Sequence, residues 1–183
     1  TFQIGILSFY TICKDFLDSK VALFTTILFY TQPLLWGHAF INPKDAPFMS
    51  IFLLSIAYAI KHKQKIITSK FYSKEIIITG ILIGISSSTR ILGPLSGVLI
   101  IIYLWTAFGK KSLKYVIPLM LYAFTTMVAT WPFLWKGPLA NYISSIKIMS
   151  SYPWIGEIFF GGSKYKVSEL PWQYLPRLFS LQL

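Results

Sequence analysis

Residues 75–108 read EIIITGILIGISSSTRILGPLSGVLIIIYLWTAF. Two apolar runs, 75–89 and 93–108, flank a break that holds Arg90, and Gly93-Pro94 marks a tight turn within it. We read the stretch as two separate helices returning on one another rather than as one broken element. Working outward, apolar runs recur at 1–13, 20–36, 46–60 and 115–134, and a further one starts near Tyr174. The expected fold class is all-α: a polytopic transmembrane helix bundle of about six to seven spans with an outer-side interfacial loop. In domain terms, 1–134 is a partial transmembrane bundle. Residues 135–173 form a periplasmic or luminal loop carrying an interfacial helix, and 174–183 start a further transmembrane helix.

Composition points the same way. Hydrophobic residues make up 55% of the chain and charged residues 13%, against about 25% charged in ordinary soluble domains. Mean hydropathy is +0.61. Aromatic residues reach 17%, with Trp and Tyr crowded at the ends of apolar runs, where a ring with one wet end suits a membrane interface. The formal net charge of +11 resides mainly on lysines between apolar runs, which disfavours nucleic acid as a partner. Cys13 has no second cysteine to pair with and reads as a small buried hydrophobe. The chain opens inside an apolar run without a methionine and is read as part of a larger membrane protein.

The lysines give an orientation. Lys14 and Lys20 flank the first connection, together with Asp15 and Asp18. Lys61, Lys63, Lys65, Lys70 and Lys74 lie in or beside the connection 61–74, and Lys110, Lys111 and Lys114 in 109–114. These three connections alternate so as to share one side, cytoplasmic by the positive-inside rule. The turns 37–45 and 90–94 and the segment 135–173 then share the outer side. Gly80 and Gly84, like Gly93 and Gly97, stand four apart, a spacing that lets helices approach closely. Within the outer segment, Ile143, Ile146 and Met149 recur at helical spacing, predicting a short surface helix over 138–150. An aromatic, Gly-rich loop follows, containing Tyr152, Pro153 and Trp154; its rings suit a sugar or an interfacial belt.

The polar turn between two of the runs, His38-Ala39-Phe40-Ile41-Asn42-Pro43-Lys44-Asp45, holds the main candidates. Asn42 is a favoured N-cap and Pro43 suits a first helical position, with Asp45 complementing the helix dipole; Asp45 can equally be the cap itself. A helix start here also offers free N–H groups to an anion. Lys44 adds a point charge, and Asp45 can hold a hydroxyl or a divalent metal. Arg90, with no acidic residue between Glu75 and Glu157, has no partner near it in sequence, and its planar fork suits phosphate oxygens. His38 can shuttle a proton or ligate a metal, or be a structural residue. His62 reads as solvated, and Glu157 and Glu169 as loop carboxylates within reach of a bound sugar. There is no Gly-rich phosphate loop, zinc-protease helix motif or Gly-x-Ser-x-Gly elbow in the sequence.

Three stretches together resemble a family. HAFINPKDAPF (His38 to Phe48) is similar to the second outer-side acidic motif of the integral-membrane C-type glycosyltransferases, closest to the protein O-mannosyltransferase-like and aminoarabinose-transferase-like group. GILIGISSSTRILG (Gly80 to Gly93) resembles that family's glycine-rich helix ending in a basic residue. YPWIGEIFFGG with LPWQYLP (Tyr152 to Gly162, Leu170 to Pro176) resembles its outer loop. One departure stands out: Ala39 and Phe40 occupy positions near which many relatives carry an arginine.

The resemblance implies a membrane glycosyltransferase moving a sugar from a polyprenyl-phosphate donor to a hydroxyl on a protein, lipid or glycan acceptor. Its site would face the periplasm or the lumen, in a bacterial inner membrane or the ER membrane, among membrane lipids. Asp45 would match the second acidic, catalytic position. Arg90 would match the basic position near the donor phosphate, with Lys44, His38 and Asn42 as further substrate-binding candidates. The main catalytic acid would lie in a first outer loop outside this chain, leaving the chain alone inactive. No cofactor is assigned beyond a divalent metal as an option. The competing reading is a non-enzymatic polytopic transporter or lipid flippase.

Overall fold

The computed structural model describes residues 1–151 and 156–182. They divide into two compact units, Thr1–Tyr142 and Ile143–Leu183. The helices of the first unit are α1 (Phe2–Phe16), α2 (Ser19–Tyr30), α3 (Pro33–Ile41), α4 (Asp45–Lys61), α5 (Lys63–Thr68), α6 (Lys74–Thr89), α7 (Pro94–Phe108) and α8 (Val116–Thr130). A 3-10 segment, Gly109–Tyr115, joins α7 to α8. Helix α9 (Pro138–Ser150) covers the stretch read as a surface helix, and the division between the units falls inside it. The second unit adds strands β1 (Glu157–Phe160) and β2 (Ser163–Lys166) and helix α10 (Tyr174–Gln182).

Local chemistry explains most of these boundaries. The Asp18 carboxylate accepts from the N–H groups of Lys20 and Val21 and so caps α2. Pro33 and Pro94 occupy first-turn positions of α3 and α7, where a missing N–H costs nothing. Gly109 ends α7 at φ +61° and ψ −147°, backbone angles open essentially to glycine alone.

The expected bundle of six to seven spans is corrected here. Among the described residues, one helical stretch is long and apolar enough to cross a membrane: Pro94–Thr130, 37 residues taken through its 3-10 segment. The other apolar runs are cut short by their own punctuation. Thr31-Gln32-Pro33 splits the run 20–36 into α2, of 12 residues, and α3, of 9. Even α4, with 17 residues, rises only about 26 Å at ~1.5 Å per residue, short of a hydrocarbon core of about 30 Å. Nor is the chain all-α. Glu157 pairs with Lys166 and Phe160 with Ser163 in an antiparallel hairpin. Its two-residue turn is Gly161-Gly162, both at positive φ, a geometry that glycine adopts without strain.

Within the first unit, α6 packs on α8 and on α4, α4 packs on α1, and α7 lies against α4 and α6. The core is Ala59, Ile66, Ile76, Ile83, Ile100, Leu104, Tyr115 and Leu119. Glycines set the α6–α8 contact. A Cβ on Gly80 would stand 2.4 Å from the Cβ of Tyr122, and one on Gly84 2.5 Å from the carbonyl oxygen of Ala123. Gly93 is packed on the backbone of Ser86 and Ser87, 2.2 Å from where its own Cβ would stand. All three glycines therefore serve close backbone approach, as their spacing suggested.

The three lysine-bearing connections do meet at one end of the first unit. Asp15 contacts Lys63, and the Tyr115 hydroxyl donates to the carbonyls of Ile67 and Ser69. Helices α4 and α6 run antiparallel between this end and the one bearing Asp45 and Arg90. Large apolar side chains along the helices stay exposed, among them Leu7, Phe24, Leu121 and Ile117.

Candidate functional site

Asn42 organises the turn into α4. Its side-chain oxygen accepts from the N–H of Lys44, 3.1 Å, and of Asp45, 3.0 Å. These bonds close the turn that follows α3, at whose end Asn42 stands; α4 begins at Asp45 with Lys44 before it, so the expected helix start with Asn42 as cap and Pro43 as first helical residue is corrected by two residues. The Asn42 side-chain amide also donates to Oδ2 of Asp45. One asparagine thus fixes both the turn ahead of α4 and the carboxylate on its first residue.

Arg90 arrives from the far end of α6. It is the residue at which that helix stops, extended at φ −144° and ψ 144°, with its N–H donating to the carbonyl of Ser86. The serine and threonine hydroxyls before it bond back to the helix: Ser87 to Ile83, and Ser88 and Thr89 to Ile85. Gly93 then packs on Ser86 and Ser87, folding the chain tightly beyond Arg90. Held this way, the Arg90 guanidinium donates from Nη2 to Oδ1 of Asp45. The partner missing from the neighbouring sequence is supplied by tertiary structure.

Both side chains are a little over a third exposed, 35% for Arg90 and 38% for Asp45. Asp45 accepts one bond on each oxygen and keeps lone pairs on both. Arg90 keeps donors too: its Nε is buried and has no hydrogen-bond partner. The guanidinium is therefore oriented by Asp45 without being saturated by it.

The other candidates are less closely drawn in. His38 lies one turn before Asn42, its carbonyl accepting the Asn42 N–H at 3.0 Å. Its ring is half-buried, and Nδ1 is buried with no partner. Lys44 is exposed. His62 is part-buried, not merely solvated: Nδ1 sits 2.9 Å from the Tyr58 carbonyl, and its ring lies against that of Tyr58. Glu157 is exposed and 3.9 Å from Lys164 across the hairpin, and Glu169 is exposed in a 3-10 turn. Tyr152, Pro153 and Trp154 lie outside the described residues. Among the described residues no three His, Cys, Asp or Glu side chains cluster as metal ligands.

Beside the α6–α7 turn is an apolar cavity of about 270 Å³, lined by Ile83, Ser87, Pro94, Val98, Phe124 and Tyr142 among others. Its polar groups face the backbone: Ser87 donates to Ile83, and the Tyr142 hydroxyl to the Ile91 carbonyl at 3.4 Å. Burial pushes the Tyr142 phenol up, keeping it a protonated donor. Ser87 and Pro94 bracket Arg90 in sequence, so one wall of the cavity is built by the turn that carries the guanidinium.

A second charged group was not singled out in the sequence. At the lysine-rich end, Lys63 donates to Asp15 and, at 2.7 Å, to the Tyr103 hydroxyl, which itself donates to the other oxygen of Asp15. Burial works to raise the Asp15 carboxyl, but the hydrogen bonds from Lys63 and Tyr103 and the Lys63 charge outweigh it, leaving it below the ordinary range. The hydrogen bond to Asp15 holds Lys63 above its own. These residues stand 48 and 88 positions from Asp15, beyond any local signal.

No family model matches the chain, and neither a curated protein nor a solved structure matches it.

Proposed function

We propose that this protein is a membrane-associated glycosyltransferase that moves a sugar from a polyprenyl-phosphate donor to an acceptor hydroxyl. The observation that carries the proposal is the Arg90–Asp45 pair, built from the ends of two helices and leaving guanidinium donors uncommitted. In the reaction the bond between the sugar carbon and the phosphate oxygen breaks as the acceptor oxygen bonds to that carbon, with inversion. The departing phosphate gathers negative charge. A preoriented guanidinium aimed at that charge lowers the barrier because it need not reorganise.

Asp45 holds the guanidinium in place, and its free lone pairs can accept from a sugar or acceptor hydroxyl. Proton removal from the acceptor belongs to a carboxylate beside it. The apolar cavity at the turn suits hydrocarbon, as a prenyl chain requires, and the exposed apolar side chains suit lipid contact. The site's polar groups gather at helix ends rather than midway along them, which favours transfer over transport. The membrane face proposed for the site is the periplasmic or luminal one.

The test is sugar transfer from radiolabelled polyprenyl-phosphate donors in membranes containing the protein, with acceptor classes added one at a time. Arg90→Ala is expected to lower transfer about a hundredfold, the scale of losing one preorganised donor. Arg90→Lys should recover only part of it, since an ammonium lacks the fork. Wild-type turnover in Arg90→Ala would overturn the proposal.

A further inference from the structure

The end of the first unit opposite the Asp45–Arg90 pair carries a concentration of uncompensated positive charge. Lys14 and Lys20 flank the first connection, and Lys61, Lys70 and Lys74 the second; all five are exposed. Lys110, Lys111 and Lys114 are exposed on the 3-10 segment. The connections touch one another through Asp15–Lys63 and through the Tyr115 hydroxyl bonds to Ile67 and Ser69. The acids at this end are already committed. Asp15 is held by Lys63 and Tyr103, Asp18 caps α2, and Glu75 is buried 4.0 Å from Lys65.

We infer that this end is a docking surface for the anionic headgroups of a lipid bilayer. The inference does not draw on the sugar-transfer proposal. Apolar side chains are interleaved with the lysines: Phe16, Leu17, Phe71, Tyr72 and Leu113 are all exposed. Basic residues with aromatic and aliphatic neighbours suit the headgroup zone, where the charges meet lipid phosphates and the apolar groups enter the acyl boundary. Leu17 and Leu113 beside the exposed rings add aliphatic surface that an acyl boundary takes up. Every cation in these connections is a lysine, a mobile point charge, so the surface fits a field of headgroups better than one phosphate of fixed geometry.

The experiment presents the detergent-purified protein with equimolar phosphatidylcholine and phosphatidylglycerol and counts retained lipids by native mass spectrometry. The expected result is phosphatidylglycerol retained about tenfold over phosphatidylcholine at low salt, falling to parity at high salt. The triple variant Lys110→Glu, Lys111→Glu, Lys114→Glu should lose the preference, and the milder triple change to Gln should lose part of it. Lys136→Glu, outside the three connections, should keep it. Circular dichroism checks that each variant retains its helices. Equal retention of the two lipids by the wild type would overturn the inference. So would removal of the phosphatidylglycerol by inorganic phosphate at matched ionic strength, the mark of a single phosphate pocket. Displacement by single-stranded RNA at equal phosphate concentration would overturn it as well.

Discussion

Arg90 and Asp45 show how much one buried nitrogen matters. The Arg90 Nε has no partner, while Nη2 of the same guanidinium is held by Asp45. Ser86 is a simpler case: fully buried in α6, with an unpartnered hydroxyl. Burying a hydroxyl without a bond costs about 1–3 kcal/mol. Ser86→Ala is therefore expected to raise the thermal unfolding midpoint in detergent, by an amount corresponding to about 1 kcal/mol. A lower midpoint would mean that the hydroxyl is bonded in the native protein.

The Asp15–Lys63–Tyr103 group adds a pH dependence. The Asp15 carboxyl lies below its ordinary range. Its contribution is complete above the unfolded value of about 3.9 and fades as pH falls through the lower folded value. The Lys63 amine lies above its ordinary range. Its contribution is complete below about 10.4 and fades as pH rises through the higher folded value. The unfolding midpoint is accordingly expected to be flat near neutral pH and to fall at both extremes. Asp15→Asn should flatten the acid limb in a pH series of melting curves; an unchanged acid limb would rule the group out as its source.

Among the elements, α6 and α8 depend most on small residues. Gly84→Ala places a methyl 2.5 Å from the Ala123 carbonyl oxygen, a backbone atom that cannot swing aside. Gly97→Ala meets the side chain of Ile83, nearest at Cγ2, 3.2 Å. The first is expected to destabilise by about 1–3 kcal/mol, the cost of overpacking, and the second by less. Equal melting midpoints for the two variants would contradict the seam.

These elements also show what was legible in the sequence. The glycine spacing announced the close approach, and Asn42-Pro43 announced a helix start two residues ahead of Asp45, where α4 begins, because both signals are local. The Gly161-Gly162 turn is equally local: a glycine pair between short apolar and polar runs is a hairpin signal, which a loop reading of the segment passes over. The count of spans failed for another reason. Apolar composition runs on across Thr31-Gln32-Pro33 and other breaks, which stop a helix whatever its hydrophobicity. The convergence of Asp45 and Arg90 follows from the alternation of the runs, which puts both at one end, and the structure pairs them; Asp15–Lys63–Tyr103 has no local signal, because its members come together only after α1, α5 and α7 have packed.

At the scale of the molecule, the first unit leaves large side chains such as Leu7 (66% exposed), Phe24 (62%) and Ile117 (77%) uncovered. Apolar exposure of this kind is expected to keep the protein in the membrane pellet through an alkaline carbonate wash. Recovery in the supernatant would remove lipid contact from the proposed function.

The glycine seam has a mechanical consequence for that unit. Sliding α6 by one turn along α8 would bring Ile76 or Ser88 into a notch that admits only hydrogen. The two helices therefore engage like a key in a ward, at a single axial setting. Arg90 lies six residues beyond Gly84, about 9 Å along the axis, so the height at which its guanidinium stands is gauged by a joint buried well below it.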